Sequence, residues 1–101
     1  MLKVNRDNTL EIYRGDAFSL LCSIDRELNE NEKLTMYIVD DEKNIVVEKH
    51  AKKYENGLYF VFGTIDTNLK PAVYNYYIKM NIDELNGTTI VNSLLTVKES
   101  V

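Results

Sequence analysis

An antiparallel β-sandwich of seven to eight strands is the fold class that this 101-residue sequence predicts. Apolar residues recur mostly at period two, in short runs, rather than at the 3.6-residue period of an amphipathic helix. Polar or glycine-containing clusters separate those runs, and helix is expected to be the minor component. The length suits a single domain, residues 1–101, able to bury roughly 65% of its unfolded surface in one core. No linker, internal repeat or low-complexity stretch divides it.

Strands are expected over residues 2–4, 9–13, 17–25, 33–39, 44–49, 58–62, 73–85 and 88–98. Between the second and third, Gly15 relaxes the backbone and Asp16 is placed to bond the amides that follow it, so Arg14-Gly15-Asp16 reads as a turn. Integrins bind the same tripeptide on cell surfaces, but three residues recur by chance too readily to assign that function. In 17–25 the alternation sets Phe18, Leu20, Cys22 and Ile24 on one face. Residues 25–34, DRELNENEKL, hold helix formers but only Leu28 and Leu34 as apolar anchors, which makes them a polar connection. Leu34, Met36 and Ile38 then point inward, as do Leu58, Phe60 and Phe62 further on. Together these side chains are expected to fill the space between two sheets.

The last hairpin carries the strongest local signal. Asn86-Gly87 suits a two-residue type I′ turn, whose central residues both need positive φ. That loop pairs Leu85 with Thr88, Ile82 with Val91, Met80 with Ser93, Ile78 with Leu95 and Tyr76 with Val97. All of these but Ser93 are apolar beyond the turn, so this face points inward, and a loop two residues longer keeps the same two faces. Asn75, Tyr77, Lys79, Asn81 and Asn92 lie on the other face.

Twelve Lys and Arg against sixteen Asp and Glu give a net charge of -4, which favours neither nucleic acid nor an anionic membrane. No window approaches the roughly 18 apolar residues of a membrane span. MLKVNRDNTLEIY shows no apolar stretch of a signal peptide, so residence in the cytoplasm is expected unless a leader has been removed. Cys22 is the single cysteine, which excludes an internal disulfide and a cysteine-built metal cage.

No catalytic constellation emerges. His50, the only histidine, sits in the charged run EKHAKKY with no designated carboxylate or nucleophile. The parity of Cys22 places it in the core, where a thiol packs as a small hydrophobe rather than acting as a nucleophile. Asp40-Asp41-Glu42 lacks the alternating spacing of a calcium loop and reads as a solvated hairpin tip. Neither a phosphate-binding glycine loop nor a metalloprotease or hydrolase motif is present, and no cofactor or metal is expected.

The surface signal is aromatic. If strand 33–39 pairs with strand 73–85, the face away from the core groups Tyr37, Val39, Val73 and Tyr77, while Tyr59 and Val61 share the outer face of the other sheet. Tyrosine favours exposed pleated surfaces in general, and it is also enriched in protein interfaces because it buries area while keeping a polar handle. The cluster makes these four residues the candidate interface.

The run DTNLKPAVYNY, residues 66–76, resembles the corner of immunoglobulin-like and fibronectin-like sandwiches. There a Leu and a Pro or Gly precede a Tyr whose hydroxyl bonds back to the connection. The resemblance assigns those parts to Leu69, Pro71 and Tyr74. It puts Tyr76 and Cys22 where antibody domains hold their disulfide, and neither that disulfide nor the core tryptophan is present. YRGDAFSL, the middle IVDDEKNIVVEK and the terminal DTNLKPAVYNYYIKM with its NG hairpin are together similar to immunoglobulin-like modules of phage and prophage tail and baseplate proteins, such as the amino-terminal domain of baseplate upper proteins.

That resemblance implies a non-enzymatic structural module of a tail, neck or baseplate, acting by self-association and by contacts with other virion proteins. It would be made in the bacterial host cytoplasm and then carried in the virion. A carbohydrate- or peptide-binding accessory module is the alternative, and saturable ligand binding by a monomer would distinguish it.

Overall fold

Period-two alternation yields strands throughout, and a computed structural model describes residues 2–24, 27–81 and 87–99. Nine strands lie among them: β1 (Lys3–Val4), β2 (Leu10–Tyr13), β3 (Phe18–Cys22), β4 (Lys33–Val39), β5 (Ile45–His50), β6 (Lys52–Tyr54), β7 (Gly57–Phe62), β8 (Ala72–Asn81) and β9 (Gly87–Lys98). No helix occurs among the described residues. Residues 27–32 form a polar connection, as expected, closed by a turn in which the Glu32 amide donates to Asn29 O.

Two sheets pack face to face. The larger has the order β1-β2-β9-β8-β4-β5 and the smaller the order β3-β7-β6. Pairing is antiparallel except between β2 and β9, which run parallel from Leu10 opposite Leu95 to Tyr13 opposite Lys98. The core lies between the sheets, with Phe60, Phe62 and Cys22 of the smaller against Met36, Ile38, Tyr76, Ile78 and Leu95 of the larger. Phe18 stacks on Phe62 at a centroid distance of 4.7 Å. Leu20, Ile24 and Leu58, expected inward, pack against this cluster at its margin.

Two expectations are corrected. The strand count is nine among the described residues, because Lys52–Tyr54 pairs with β7 and closes the small sheet. In the terminal hairpin, Tyr76 faces Ser93, Ile78 faces Val91 and Met80 faces Thr88, rather than Val97, Leu95 and Ser93. Gly87 is a strand residue opposite Asn81, rather than the second residue of a two-residue turn. Ile82 and Leu85, the predicted partners of Val91 and Thr88, lie outside the described residues. The slip along β9 is even for Tyr76 and Ile78, so both keep the inward face, and a bulge between Ile78 and Lys79 changes the register beyond it.

One end of the sandwich is a knot of backbone bonds. Gly15 adopts φ +85°, and its amide donates to Thr67 O at 3.1 Å. The buried Thr67 hydroxyl donates to Asp16 O at 2.7 Å, and Tyr74 Oη donates to Lys70 O at 2.6 Å. The Asp16 carboxylate accepts the Tyr13 amide at 2.9 Å, a bond back to the end of β2. Arg14 Nε donates to Asn68 Oδ1 at 2.9 Å. Both charged side chains of the tripeptide thus stitch the turn into the fold, as the turn reading requires.

Candidate interaction surface

The outward positions of the large sheet build the surface. Tyr37 and Tyr77 lie directly opposite each other across β4 and β8, and their rings stack at 5.1 Å. Direct cross-strand aromatic pairs add about 0.2–1 kcal/mol relative to a pair of alanines. Lys79 Nζ sits 5.4 Å from the Tyr77 ring centre, close enough for a cation–π contact. Strand 33–39 thus pairs with β8, from Lys33 opposite Asn81 to Val39 opposite Asn75, as the grouping of these aromatic residues requires.

The other two members behave differently. Val73 is 57% exposed at the open end of the face. Val39 is only 8% exposed, because it is flanked in register by Ile45 of β5 and Asn75 of β8 where a bulge bends the strands. Val39 is thus a floor residue and not a contact in its own right. Leu94 and Ile45, which sequence reasoning did not single out, extend the apolar strip: Leu94 is opposite Asn75 on β9, and both are exposed. The outward parity of residues on the neighbouring strands was the signal that could have found them.

The edge beside the strip is polar. Thr35 is buried, and its hydroxyl meets His50 Nδ1 at 3.1 Å, while His50 Nε2 is 3.9 Å from Glu48. His50 is the last residue of β5. At the far side, Glu11 lies 2.7 Å from Lys98 and 3.8 Å from Lys3, and the Lys98 hydrogen bond, followed by that of Asn5, holds its carboxyl below the usual glutamate range. On the small sheet, Tyr59 and Val61 share the outer face with Tyr54, whose ring meets Tyr59 edge-on at 5.6 Å.

At the end opposite the Arg14-Gly15-Asp16 corner lies a cavity of about 800 Å³, which the sequence did not reveal. Its apolar lining includes Ile24, Leu28 and Leu58, and Glu27, Glu32 and Lys53 stand around it. Cys22 and His50 both border it, but burial pushes the Cys22 thiol pKa up, which opposes thiolate formation.

Asp40 uses its carboxylate on the backbone, accepting the amides of Glu42 at 3.0 Å and Asn44 at 2.8 Å. No cluster of metal-ligating side chains exists among the described residues. No described helix is long and apolar enough to cross a membrane. No protein-family model matches this chain, and no curated protein matches its sequence.

Proposed function

We propose that this chain is a non-enzymatic assembly module with an immunoglobulin-like strand arrangement, which docks other proteins through the outer face of its larger sheet. The observation that carries the reading is the stacked Tyr37–Tyr77 pair on a face that also presents Val73, Leu94 and Ile45 to solvent. Aromatic anchors beside an exposed apolar strip are what a protein interface needs at its centre. The immunoglobulin-like arrangement is supported by three features together. A three-stranded β3-β7-β6 sheet faces a larger one that contains a parallel β2–β9 pair, Tyr74 makes the corner bond to Lys70, and Cys22 and Tyr76 occupy the central core. The likeness of the corner and flanking segments to phage and prophage tail and baseplate modules supports a virion component as the setting, made in the host cytoplasm and associating with itself or with other virion proteins.

The test is sedimentation velocity across a wide concentration range on the unmodified protein and on Tyr37→Ser/Tyr77→Ser. Association that the double change weakens, with an unchanged fold by circular dichroism, is the expected result. Association of equal strength in both proteins would remove this face from self-assembly. The alternative, a carbohydrate- or peptide-binding module, draws its support from the end cavity. Saturable binding of an oligosaccharide or peptide by the monomer, lost in Leu28→Arg, would establish that second reading instead.

A further inference from the structure

A two-sheet fold with open sheets has four edges, and natural proteins guard such edges against pairing with another chain. Three of the four here are guarded. β1 is two residues long, and its Lys3 is paired to Glu11. β5 is bent by a bulge at Ile38/Val39 and turns Lys49 inward, where it meets Asp66 at 2.8 Å and lies 5.9 Å from the Phe62 ring centre. β6 is Lys52-Lys53-Tyr54, two charges in three residues.

The fourth edge, β3, carries none of these devices. Its sequence is Phe-Ser-Leu-Leu-Cys, without charge or proline. Its register against β7 runs unbroken through five pairs, from Phe18 opposite Phe62 to Cys22 opposite Leu58. No described strand pairs with its other side. On the outer face Ser19 is exposed and Leu21 is 50% exposed, with Tyr59 beside Leu21.

We propose that β3 pairs antiparallel with β3 of a second copy, joining two small sheets into one continuous sheet about a two-fold axis at Leu20. The strand is self-complementary for this. An axis at Leu20 sets Ser19 opposite Leu21 of the other copy and Phe18 opposite Cys22, so outward residues meet outward ones and core-facing residues meet core-facing ones. No charge is brought against another anywhere along the pairing. The inference rests on the reading of the chain as an assembly module but uses a surface separate from Tyr37 and Tyr77.

The test exploits the register. In Ser19→Lys/Leu21→Lys every pairing about Leu20 places lysine against lysine, and in Ser19→Glu/Leu21→Glu glutamate against glutamate, both unfavourable directly across a pair. Both sites are exposed, so each variant should melt cooperatively with native circular dichroism. In sedimentation velocity the unmodified protein is expected to form a dimer, each variant alone to remain monomeric, and an equimolar mixture of the two to dimerise again. An unmodified protein that stays monomeric at every concentration overturns the proposal. So does a dimer that survives both charge variants, and one that only Tyr37→Ser/Tyr77→Ser abolishes assigns the interface to the large-sheet face. If a variant fails to fold, hydrogen exchange on the unmodified protein decides: β3 amides not bonded to β7 gain protection as concentration rises, or the pairing does not occur.

Discussion

Tyr74 shows what one side chain does at the corner. Its ring is buried in the core, and its hydroxyl reaches Lys70 O at 2.6 Å, holding the β7–β8 connection against the sheet. Tyr74→Phe keeps the ring and removes the bond, leaving a carbonyl without its donor, and should destabilise the fold by about 1–2 kcal/mol in urea denaturation. A loss near zero would mean that water replaces the hydroxyl. The same connection holds Asp66, whose carboxyl is kept below the usual aspartate range by Lys49 first and the Gly63 amide second. Because the folded value is the lower one, the group stabilises above the unfolded pKa of about 3.9, and that contribution disappears as pH falls through the folded value. Asp66→Asn should therefore lower stability at neutral pH by up to about 1 kcal/mol and flatten the acid limb of a stability–pH curve, with the two proteins converging at the acid end. Tyr74 was legible because Leu69, Pro71 and Tyr74 stand at fixed spacing along the chain. The inward turn of Lys49 was not, since nothing local marks its partners.

Among the elements, β6 is the one that the sequence concealed, although its signal was present. Asn56-Gly57 is the same dipeptide that marks the last hairpin and lies at this reversal, although the two loop residues are Glu55 and Asn56 and Gly57 is already paired with Tyr54. The flanking run Lys52-Lys53-Tyr54 has too few apolar residues to read as a strand, because an edge strand is permitted to be charged. Conversely, the strong signal at Asn86-Gly87 put Gly87 inside the turn, whereas Gly87 is itself paired, opposite Asn81. Turn chemistry marks where a chain reverses; a bulge such as that between Ile78 and Lys79 sets which residues then face each other. Val39 follows the same logic, since its parity is outward but a bulge and its neighbours cover it. Gly57 is the residue on which the β6–β7 hairpin depends, with φ +144° and with a Cβ position only 2.8 Å from Leu21 Cδ1. Leu21 can swing its terminal methyl aside, but the backbone conformation cannot be relieved so easily. Gly57→Ala should cost about 1–3 kcal/mol and loosen the β6–β7 amides more than those of β8 and β9 in hydrogen exchange.

For the molecule as a whole, the layout of the core decides how it unfolds. Phe60, Phe62 and Cys22 project from the small sheet into a cluster shared with Leu10, Met36, Ile78 and Leu95 of the large one, so neither sheet has a core of its own. The two layers were legible from alternation alone; their unequal size was not, because the parallel joining of β2 to β9 links segments at opposite ends of the sequence. A shared core makes the fold one cooperative unit. Phe60→Ala, at a site of 0% exposure, should cost about 3–5 kcal/mol through lost burial and the cavity left behind. If the unit is single, that loss appears equally everywhere. The most protected amides of β4 and β8, which Phe60 does not pair with, should fall in hydrogen-exchange stability by the same amount as those of β3 and β7. Tyrosine fluorescence and far-ultraviolet circular dichroism should report one coincident melting transition. Protection that drops in β3 and β7 alone, or two separated transitions, would show that the six-stranded sheet stands without its partner. Its inner face, with Leu10, Ile12 and Val97, would then need some other cover, and a shared core could no longer explain how two sheets of such unequal size stay together.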